Sequence, residues 1–415
     1  MPRIFVALII SIFSFLSHAA FSNFNSIVLG DRISGMGGAG TAIVGDVAAA
    51  AFYNPATLGM LEGKAFSASA GIYKKYDIVF GRTEDLLQVP LRINQGFFHA
   101  LPASTGNVLE WRGLVLSLNI LAPDYEIFRG DLRNRDGFVS SLSYLEENIW
   151  TGVGIGKRIS KNESIGLTLY YTARNFTRAA VDRHNIDSAN TRFYTHDFTV
   201  KENTVVPVLG YYREWDDSAF GVSLRPRSIP VSGSASLVVS NTVVTGGTVT
   251  IESITATNEK SRPVIPGKLT FGYTHELIPH LTMSYDLSLY ERIAYDDLLN
   301  PDFSVPVLHK GIWNINLGGE YDLLDWFKIR SGIYTNFSSH PDPDPDRKQY
   351  QPDHVDMLGF SANAVFIADN KISFTFGGYY TGGWGRSMQR VGQNWEVLTK
   401  NVNVFTMLVG TAFHF

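Results

Sequence analysis

From Glu62 to the end of the chain, apolar and polar side chains alternate in units of about ten residues separated by breaks. A period of two is typical of β-strands, because successive side chains point to opposite faces of a sheet. In one unit Leu281 and Met283 share an apolar face, whereas Ser284 and Asp286 share the opposite, polar face. The pattern predicts strands that meet an apolar medium on one side only.

Fourteen strands are predicted, and the connections between them alternate in length. The strands are placed at residues 64–75, 92–103, 109–120, 146–159, 163–175, 204–214, 218–229, 266–277, 280–292, 312–323, 326–337, 354–368, 371–381 and 403–415. Short connections are predicted at 102–107, 160–162, 214–217, 278–279, 324–325 and 370, and long ones include 121–145, 176–203, 230–265 and 338–353. An even strand number with short turns at one end and long loops at the other is typical of a bacterial outer-membrane β-barrel.

One long connection leaves the strand count open. Residues 230–265 contain two stretches rich in Val and Thr, at 234–240 and 243–253. We favour an extracellular hairpin, because two further spanning strands leave little room for turns at either membrane surface. A barrel of sixteen strands is the alternative.

The composition agrees with a membrane barrel and excludes several other classes. Charged residues make up 18% of the chain, aromatic residues 13%, and the net charge is −4. This charge is too small to indicate nucleic acid as a partner. There are no cysteines, so disulfides, thiolate metal sites and a lipoprotein anchor are not expected. Residues 1–20, with Arg3 before an apolar run and small residues at the end, predict a secretory signal peptide.

Residues 21–61 do not follow the strand pattern. Residues 35–40 match G-x-G-x-x-G, with Glu62 downstream, as in a dinucleotide-binding fingerprint. That motif requires a preceding buried strand and a βαβ unit, and neither is predicted here. A glycine-rich turn region that allows close backbone packing is the better interpretation.

The same segment carries a family resemblance. Residues 35–40, Thr41, Asp46 and above all the sequence FYNPATL at 52–58 resemble the N-terminal hatch of the FadL/TodX outer-membrane transporters. The resemblance implies an all-β fold, a fourteen-stranded antiparallel transmembrane barrel plugged by a small N-terminal domain. It implies a hatch at 21–61 and a barrel at 62–415. It also implies uptake of long-chain fatty acids or aromatic hydrocarbons, with a sideways exit at a kink in the third strand.

The Asn-Pro-Ala box supplies the candidate hatch or gating residues, Asn54, Pro55 and Ala56. Asn before Pro favours a turn and offers side-chain groups that cap nearby backbone. A structural turn is therefore the first interpretation of Asn54, and a direct gating role is the second.

The strand alternation places several charged residues in the lumen. These candidates are Arg225, Asp286, Glu320, Lys328 and Arg330, and Arg227 is placed with them. Unpaired charges in a restricted lumen are costly, so pairing with each other or with the plug is expected. A basic group that binds the carboxylate head of a substrate is the alternative, because Arg suits that geometry.

The leading functional prediction is a passive outer-membrane channel for hydrophobic or amphipathic small molecules. Its expected partners are that substrate, the outer-membrane lipids, and the outer-membrane assembly machinery during insertion. The alternative is a scaffold barrel that interacts with secreted or surface proteins, and a general porin is the third class. No enzyme, cofactor or metal site is predicted: G-x-S-x-G is absent, and the acidic residues of 342–346 lack the glycine and distal glutamate of a calcium loop.

Overall fold

The computed structural model describes most of the chain from residue 23 onwards. The described residues are 23–24, 27–81, 91–133, 138–187, 189–262, 264–296, 306–347, 351–369, 371–391 and 394–414. The signal peptide predicted at 1–20 and the short connection predicted at 370 lie outside them.

The described residues form eighteen strands and three short helices. The strands are β1 (Lys64–Phe80), β2 (Leu91–Trp111), β3 (Leu114–Arg133), β4 (Phe138–Ser160), β5 (Glu163–Asn185), β6 (Asn190–Glu214), β7 (Ser218–Arg225), β8 (Ile229–Thr245), β9 (Thr248–Lys260), β10 (Lys268–Ile278), β11 (Leu281–Tyr290), β12 (Ile293–Asp296), β13 (Pro306–His309), β14 (Ile312–Leu324), β15 (Phe327–Asn336), β16 (His354–Asp369), β17 (Ile372–Val391) and β18 (Asn394–His414). The helices are α1 (Arg32–Gly35), α2 (Ala50–Tyr53) and a 3₁₀ helix, Pro55–Met60.

Fourteen of these strands close into an antiparallel barrel, as predicted. Sixteen strands form one sheet, and its β1–β18 and β5–β6 pairings close the ring. Of the sixteen, β8 and β9 do not complete the ring, because β8 pairs only with β6 and β9, and β9 only with β8. The small hairpin β12–β13 is a separate sheet.

The region 230–265 forms a hairpin, so the alternative of sixteen barrel strands is wrong. Gly246 and Gly247 have φ of 56° and 86°, as a two-residue turn that matches the twist of the strands requires. β8 pairs with the outer part of β6, beyond the part that pairs with β7. The hairpin therefore extends the sheet past the end of the barrel wall. Phe198 and Leu237 are part of a hydrophobic cluster in this extension.

Three predicted connections are corrected by the structure. Residues 102–107 are not a turn: β2 continues to Trp111, and the chain reverses at Arg112 and Gly113, with φ of 50° and 75°. The sequence predicted a turn here because Pro102 is a usual turn residue, whereas in the structure it lies at a register shift between β1 and β2. The connections predicted at 121–145 and 176–203 are also shorter, because β3, β4, β5 and β6 extend into them.

The two faces of the wall differ as the alternation predicts. On β11, Leu287 and Leu289 are exposed on the outside, whereas Ser284, Asp286 and Ser288 are buried on the inside.

Three exposed tryptophans lie at the short turns. Trp111, Trp215 and Trp326 are all at least 46% exposed, and Arg112 and Arg213 lie over the first two rings, at 5.1 and 5.3 Å. Aromatic girdles of this kind flank the apolar band of membrane barrels. No helix among the described residues is long and apolar enough to cross a membrane.

The inner segment, which we define as residues 27–61, lies within the barrel. It is almost entirely buried and contains the three helices. Its hydrogen-bond partners are on β2, β5, β6, β11, β14, β15 and β16. Because these strands lie all round the ring, the segment must occupy the lumen.

Candidate functional site

The Asn-Pro-Ala box begins the 3₁₀ helix of the inner segment. Pro55 is in the first turn, where its missing N–H leaves no bond unmade. The Asn54 Oδ1 accepts the N–H of Ala56 at 3.1 Å, which confirms the predicted capping of local backbone. Its Nδ2 donates to the carbonyls of Thr41 (2.7 Å) and Tyr211 (3.0 Å). Asn54 thus joins two parts of the inner segment to β6, and its side chain is fully buried.

Two glycines of the wall make room for this box. Gly166 on β5 and Gly210 on β6 are register partners. A Cβ on Gly166 would lie 2.2 Å from the Pro55 carbonyl oxygen, and one on Gly210 would lie 2.1 Å from the Asn54 Oδ1. The backbone of the box therefore rests directly on the backbone of the wall.

The glycine-rich motif is held by one lumen carboxylate. The Asp286 Oδ2 accepts the N–H groups of Gly40 and Thr41, each at 3.0 Å, and the Thr41 hydroxyl at 2.7 Å. The Asn316 Nδ2 donates to the Gly37 carbonyl at 2.6 Å. These contacts agree with the interpretation of 35–40 as a turn region that packs its backbone closely.

Most of the predicted lumen charges are paired. Glu320 on β14 binds Arg330 on β15 at 2.5 Å and Arg32 of the inner segment at 2.7 Å. Lys328 binds Asp322 at 2.8 Å. The expected pairing is therefore confirmed for Glu320, Arg330 and Lys328, and the first two fix α1 against the wall. Arg227, predicted to face inward, instead lies past the end of β7, exposed and paired with Glu291.

A second carboxylate organises the inner segment from within. Asp46 accepts the N–H groups of Arg32 and Ile33, both at 2.8 Å, and of Ala49 at 3.2 Å. Burial raises the pKa of Asp46 to about 6, and the nearby charge of Asp31 raises it further. Its protonation is therefore tied to the folding of residues 30–50.

On the long-loop side of the Asn-Pro-Ala box, the inner segment meets an aromatic cluster. The ring of Phe52 lies 5.6 Å from that of Trp150 and 6.4 Å from that of Tyr170, and the last two are 5.5 Å apart. Trp150 and Tyr170 are buried, together with the aliphatic residues Leu121 and Val206. We call these rings and the aliphatic residues packed with them the aromatic cluster.

One cation, Arg225, borders the aromatic cluster, and a second, Lys268, is its register partner on the neighbouring strand. The guanidinium of Arg225 lies 5.7 Å from the Trp150 ring, and the ammonium of Lys268 lies 5.5 Å from the Tyr290 ring. The Arg225 Nη2 donates to the Pro266 carbonyl at 3.4 Å, whereas its Nε has no hydrogen-bond partner among the described residues. Arg225 is thus a predicted lumen cation that forms no ion pair within the described part of the chain, and the carboxylate that acts on it electrostatically is Asp124.

Farther out, a network of paired charged side chains is buried inside the barrel. Arg174 binds Glu146 at 2.6 Å and Glu202 at 2.7 Å, and the Ser261 hydroxyl donates to Glu202. These residues are buried. Arg174 therefore has a carboxylate partner on each side, whereas Arg225 and Lys268 form no ion pair within the described part of the chain.

The barrel wall has a local break in its pairing. The ladder between β2 and β3 runs from Trp111 and Leu114 only as far as Ser104 and Leu121. Beyond that point β2 continues to pair with β1, and β3 with β4. The two strands therefore separate on the long-loop side while each keeps its other neighbour.

Two prolines explain where the separation begins. Pro102 on β2 and Pro123 on β3 lie just beyond the last pair and have no N–H to give to a ladder. Farther out, the Arg129 N–H donates to the Gln95 Oε1 at 3.0 Å. We call the unpaired stretch between the last pair and this bond the wall window.

The structure thus divides the sequence-predicted residues into two groups. Asn54, Pro55, Ala56, Asp286, Glu320 and Arg330 hold the inner segment to the wall, while Lys328 pairs near the turn and Arg225 borders the aromatic cluster. Sequence reasoning missed Trp150, Tyr170 and Lys268. Each occupies an inward position of its strand, but its distance from the inner segment could not be inferred without the register.

These features define a class: a fourteen-stranded antiparallel barrel whose lumen holds an N-terminal segment and whose wall is unpaired between its second and third strands. No protein-family model matches the chain, and no curated protein sequence matches it. Solved structures do match. A FadL homologue from Pseudomonas aeruginosa is 14% identical with a TM-score of 0.68, covering 95% of this chain and 100% of its own.

Two toluene transporters have the same fold. TodX of Pseudomonas putida is 12% identical with a TM-score of 0.65, and TbuX of Ralstonia pickettii is 13% identical with a TM-score of 0.60. Each comparison covers 93% of this chain and 98% of the other. The resemblance inferred from the sequence is confirmed at the level of the fold.

Proposed function

We propose that this chain is a passive outer-membrane transporter of hydrophobic or amphipathic small molecules. In this proposal residues 1–20 are a signal peptide, residues 21–61 are the plug, and residues 62–415 are the barrel. Outer-membrane lipids surround the barrel, and the outer-membrane assembly machinery inserts it. A ligand enters from the long-loop side, binds at the aromatic cluster, and leaves past the inner segment or through the wall window.

The aromatic cluster with its two cations carries the proposal. Phe52, Trp150 and Tyr170 offer an apolar surface for a hydrocarbon chain or ring. Arg225 borders this surface, and its register partner Lys268 lies on the neighbouring strand. These two cations are the groups best placed for a carboxylate head. The cluster is packed in this structure, so a ligand must replace the contacts that Phe52 makes there.

Toluene, which is named for two of the structural neighbours, and a fatty acid, which the family resemblance implies, make different demands on this site. Toluene needs only the apolar surface, whereas a fatty acid also needs a cation. We therefore propose that Arg225 and Lys268 act on carboxylates only, and that the aromatic rings act on both ligands.

Uptake by a deletion strain that produces the protein tests this proposal. We expect the unmodified protein to restore uptake of labelled oleate or toluene. Arg225→Met should lower oleate uptake about tenfold, since a charge-assisted hydrogen bond is lost, and leave toluene uptake unchanged. Arg227→Met is the matched control, because Arg227 is exposed and pairs with Glu291. Restoration of neither uptake would rule out the transporter.

A scaffold barrel is the second candidate, favoured by the hairpin β8–β9. This hairpin extends the sheet beyond the barrel wall and has its own hydrophobic cluster with β5 and β6. Deletion of residues 231–259 separates the two proposals. A transporter should keep its uptake, whereas a scaffold should lose its binding of surface proteins and show no uptake before or after the deletion.

A further inference from the structure

A bulge in β1 turns one lysine into the barrel. Both ladders of β1 shift register between Gly71 and Tyr73. Ser69 faces inward before the shift, and Lys74 and Tyr76 face inward after it. Bulges are known to redirect side chains in this way. Lys74 is consequently only 6% exposed, although the residue that follows it is exposed on the outer surface.

The ammonium of Lys74 reaches the border of the wall window. It donates to the Tyr125 carbonyl at 2.9 Å and lies 4.9 Å from the Tyr76 ring. Tyr125 belongs to the part of β3 that does not pair with β2. Because β2 stands between β1 and β3 in the sheet, this bond crosses the inner side of the window.

The charge of Lys74 is only partly compensated. The carboxylates of Glu126 and Asp124 act on it electrostatically. Neither forms an ion pair with it, and its hydrogen bond within the described part of the chain is to the uncharged Tyr125 carbonyl. A buried ammonium that donates to a neutral carbonyl can exchange this acceptor for a carboxylate, because a carboxylate is the stronger hydrogen-bond acceptor.

A small cavity lies beside Lys74, between the inner segment and the wall. It is lined by Ile27, Ala103, Leu408 and the Tyr125 side of β3, and Lys74 is its charged member. At about 20 Å³ the cavity has room for a single water-sized group, so a carboxylate head must displace the Tyr125 carbonyl to bind the ammonium there.

We propose that Lys74 is the latch of the wall window and the binding site for the carboxylate of an amphipathic ligand that leaves through it. When the ligand arrives, its carboxylate replaces the Tyr125 carbonyl on the ammonium, and the unpaired edge of β3 is released. Neutral ligands do not compete for the ammonium and do not release the latch. The proposal rests on the proposed function and adds a residue and a substrate class to its exit.

Substitution of Lys74 in the deletion strain tests the latch. Lys74→Met should lower uptake of labelled oleate about tenfold, because the carboxylate loses its partner. It should not lower uptake of oleyl alcohol, which has the same chain without the charge and no longer meets a closed latch. Lys74→Arg should keep most of the oleate uptake, because the cation is retained. Lys75→Met is the matched control, since Lys75 is the next residue and faces outward. Heat-dependent migration on gels verifies that each variant forms the barrel.

Amide hydrogen exchange on the purified, unmodified protein gives an independent measurement. Oleate should increase exchange across 122–128 of β3, whereas oleyl alcohol should not. Unchanged exchange with oleate, or oleate uptake that Lys74→Met does not affect, overturns the latch and leaves the transporter standing. Uptake of no hydrophobic compound by the unmodified protein overturns the proposed function and the latch together.

Discussion

Thr41 donates both its backbone N–H (3.0 Å) and its hydroxyl (2.7 Å) to a single oxygen of Asp286. The same oxygen also accepts the N–H of Gly40 at 3.0 Å. One wall carboxylate therefore fixes the end of the glycine-rich motif, and Asn54 binds the Thr41 carbonyl from the other side. This arrangement makes Asp286 a structural anchor of the inner segment, and its removal should loosen that segment before it affects the barrel.

Asp286→Ala should release the inner segment. The substitution leaves two N–H groups and one hydroxyl without their acceptor, and each unpaired buried donor costs about 1–3 kcal/mol. The chain contains no cysteine, so a thiol introduced by Ala42→Cys is its sole reactive thiol. We expect a membrane-impermeant maleimide to label this thiol at least about tenfold faster in the Asp286→Ala background.

Ser288→Ala is the control for that experiment. Ser288 faces inward two residues along β11, and its hydroxyl shares a hydrogen bond of 3.2 Å with the Thr270 hydroxyl of the neighbouring strand. Equal labelling rates with Asp286 intact and replaced would show that the carboxylate does not hold the segment.

Gly210→Ala should displace the Asn-Pro-Ala box. The added Cβ would lie 2.1 Å from the Asn54 Oδ1 and 2.7 Å from the Ala56 nitrogen, and neither atom can move without breaking the cap. Gly319→Ala is the control, because its Cβ would meet the flexible end of Met283 at 3.1 Å. Single-channel conductance should rise for the Gly210 variant only. Equal conductance of both variants would contradict the close packing of box and wall.

The strand number and the faces could be predicted because they depend on a local period. The wall meets an apolar medium outside and polar or small groups inside, so each strand shows the alternation by itself. The turn at Arg112 and Gly113 could not be found in this way. Pro102 resembles a turn residue in the sequence, and its role at the edge of the window depends on which strand lies beside it.

Less of the candidate site than of the fold could be predicted from the sequence. The pairing of Glu320 with Arg330 could be anticipated, because both residues were placed on the inner face of neighbouring strands. The inward direction of the Lys74 side chain could not be predicted, because the alternating pattern does not show at which residue a bulge shifts it. Trp150 and Lys268 are inward residues like many others, and only the register brings them close to Phe52 and Arg225.

Lowering the pH should stabilise the folded inner segment. The pKa of Asp46 is raised from its ordinary value of 3.8 to about 6, first by burial. The folded protein therefore holds this proton more tightly than the unfolded chain does, and the contribution of Asp46 to stability falls as the pH rises from 3.8 through about 6. Burial also raises the pKa of Asp31, which acts in the same direction.

Hydrogen exchange of residues 30–50, corrected for the intrinsic pH effect, measures this dependence. Asp46→Asn should reduce the difference in protection between about pH 4 and pH 7, since the neutral amide does not titrate. Glu62→Gln, an exposed carboxylate just past the segment, should leave the difference unchanged. Protection that increases with pH in the unmodified protein would contradict the assignment.

Trp150→Ala should weaken the uptake of charged and neutral ligands alike. The ring packs against Phe52 and Tyr170 and forms the surface on which a hydrocarbon would lie, so its loss removes apolar contact that both ligands need. Truncation of a buried tryptophan costs about 3–5 kcal/mol, which a large barrel tolerates, and heat-dependent migration on gels verifies folding. Trp384→Ala, at an exposed outer position, is the control. If oleate uptake fell while toluene uptake remained, Trp150 would act only through its contact with Arg225, and the shared apolar surface would be ruled out.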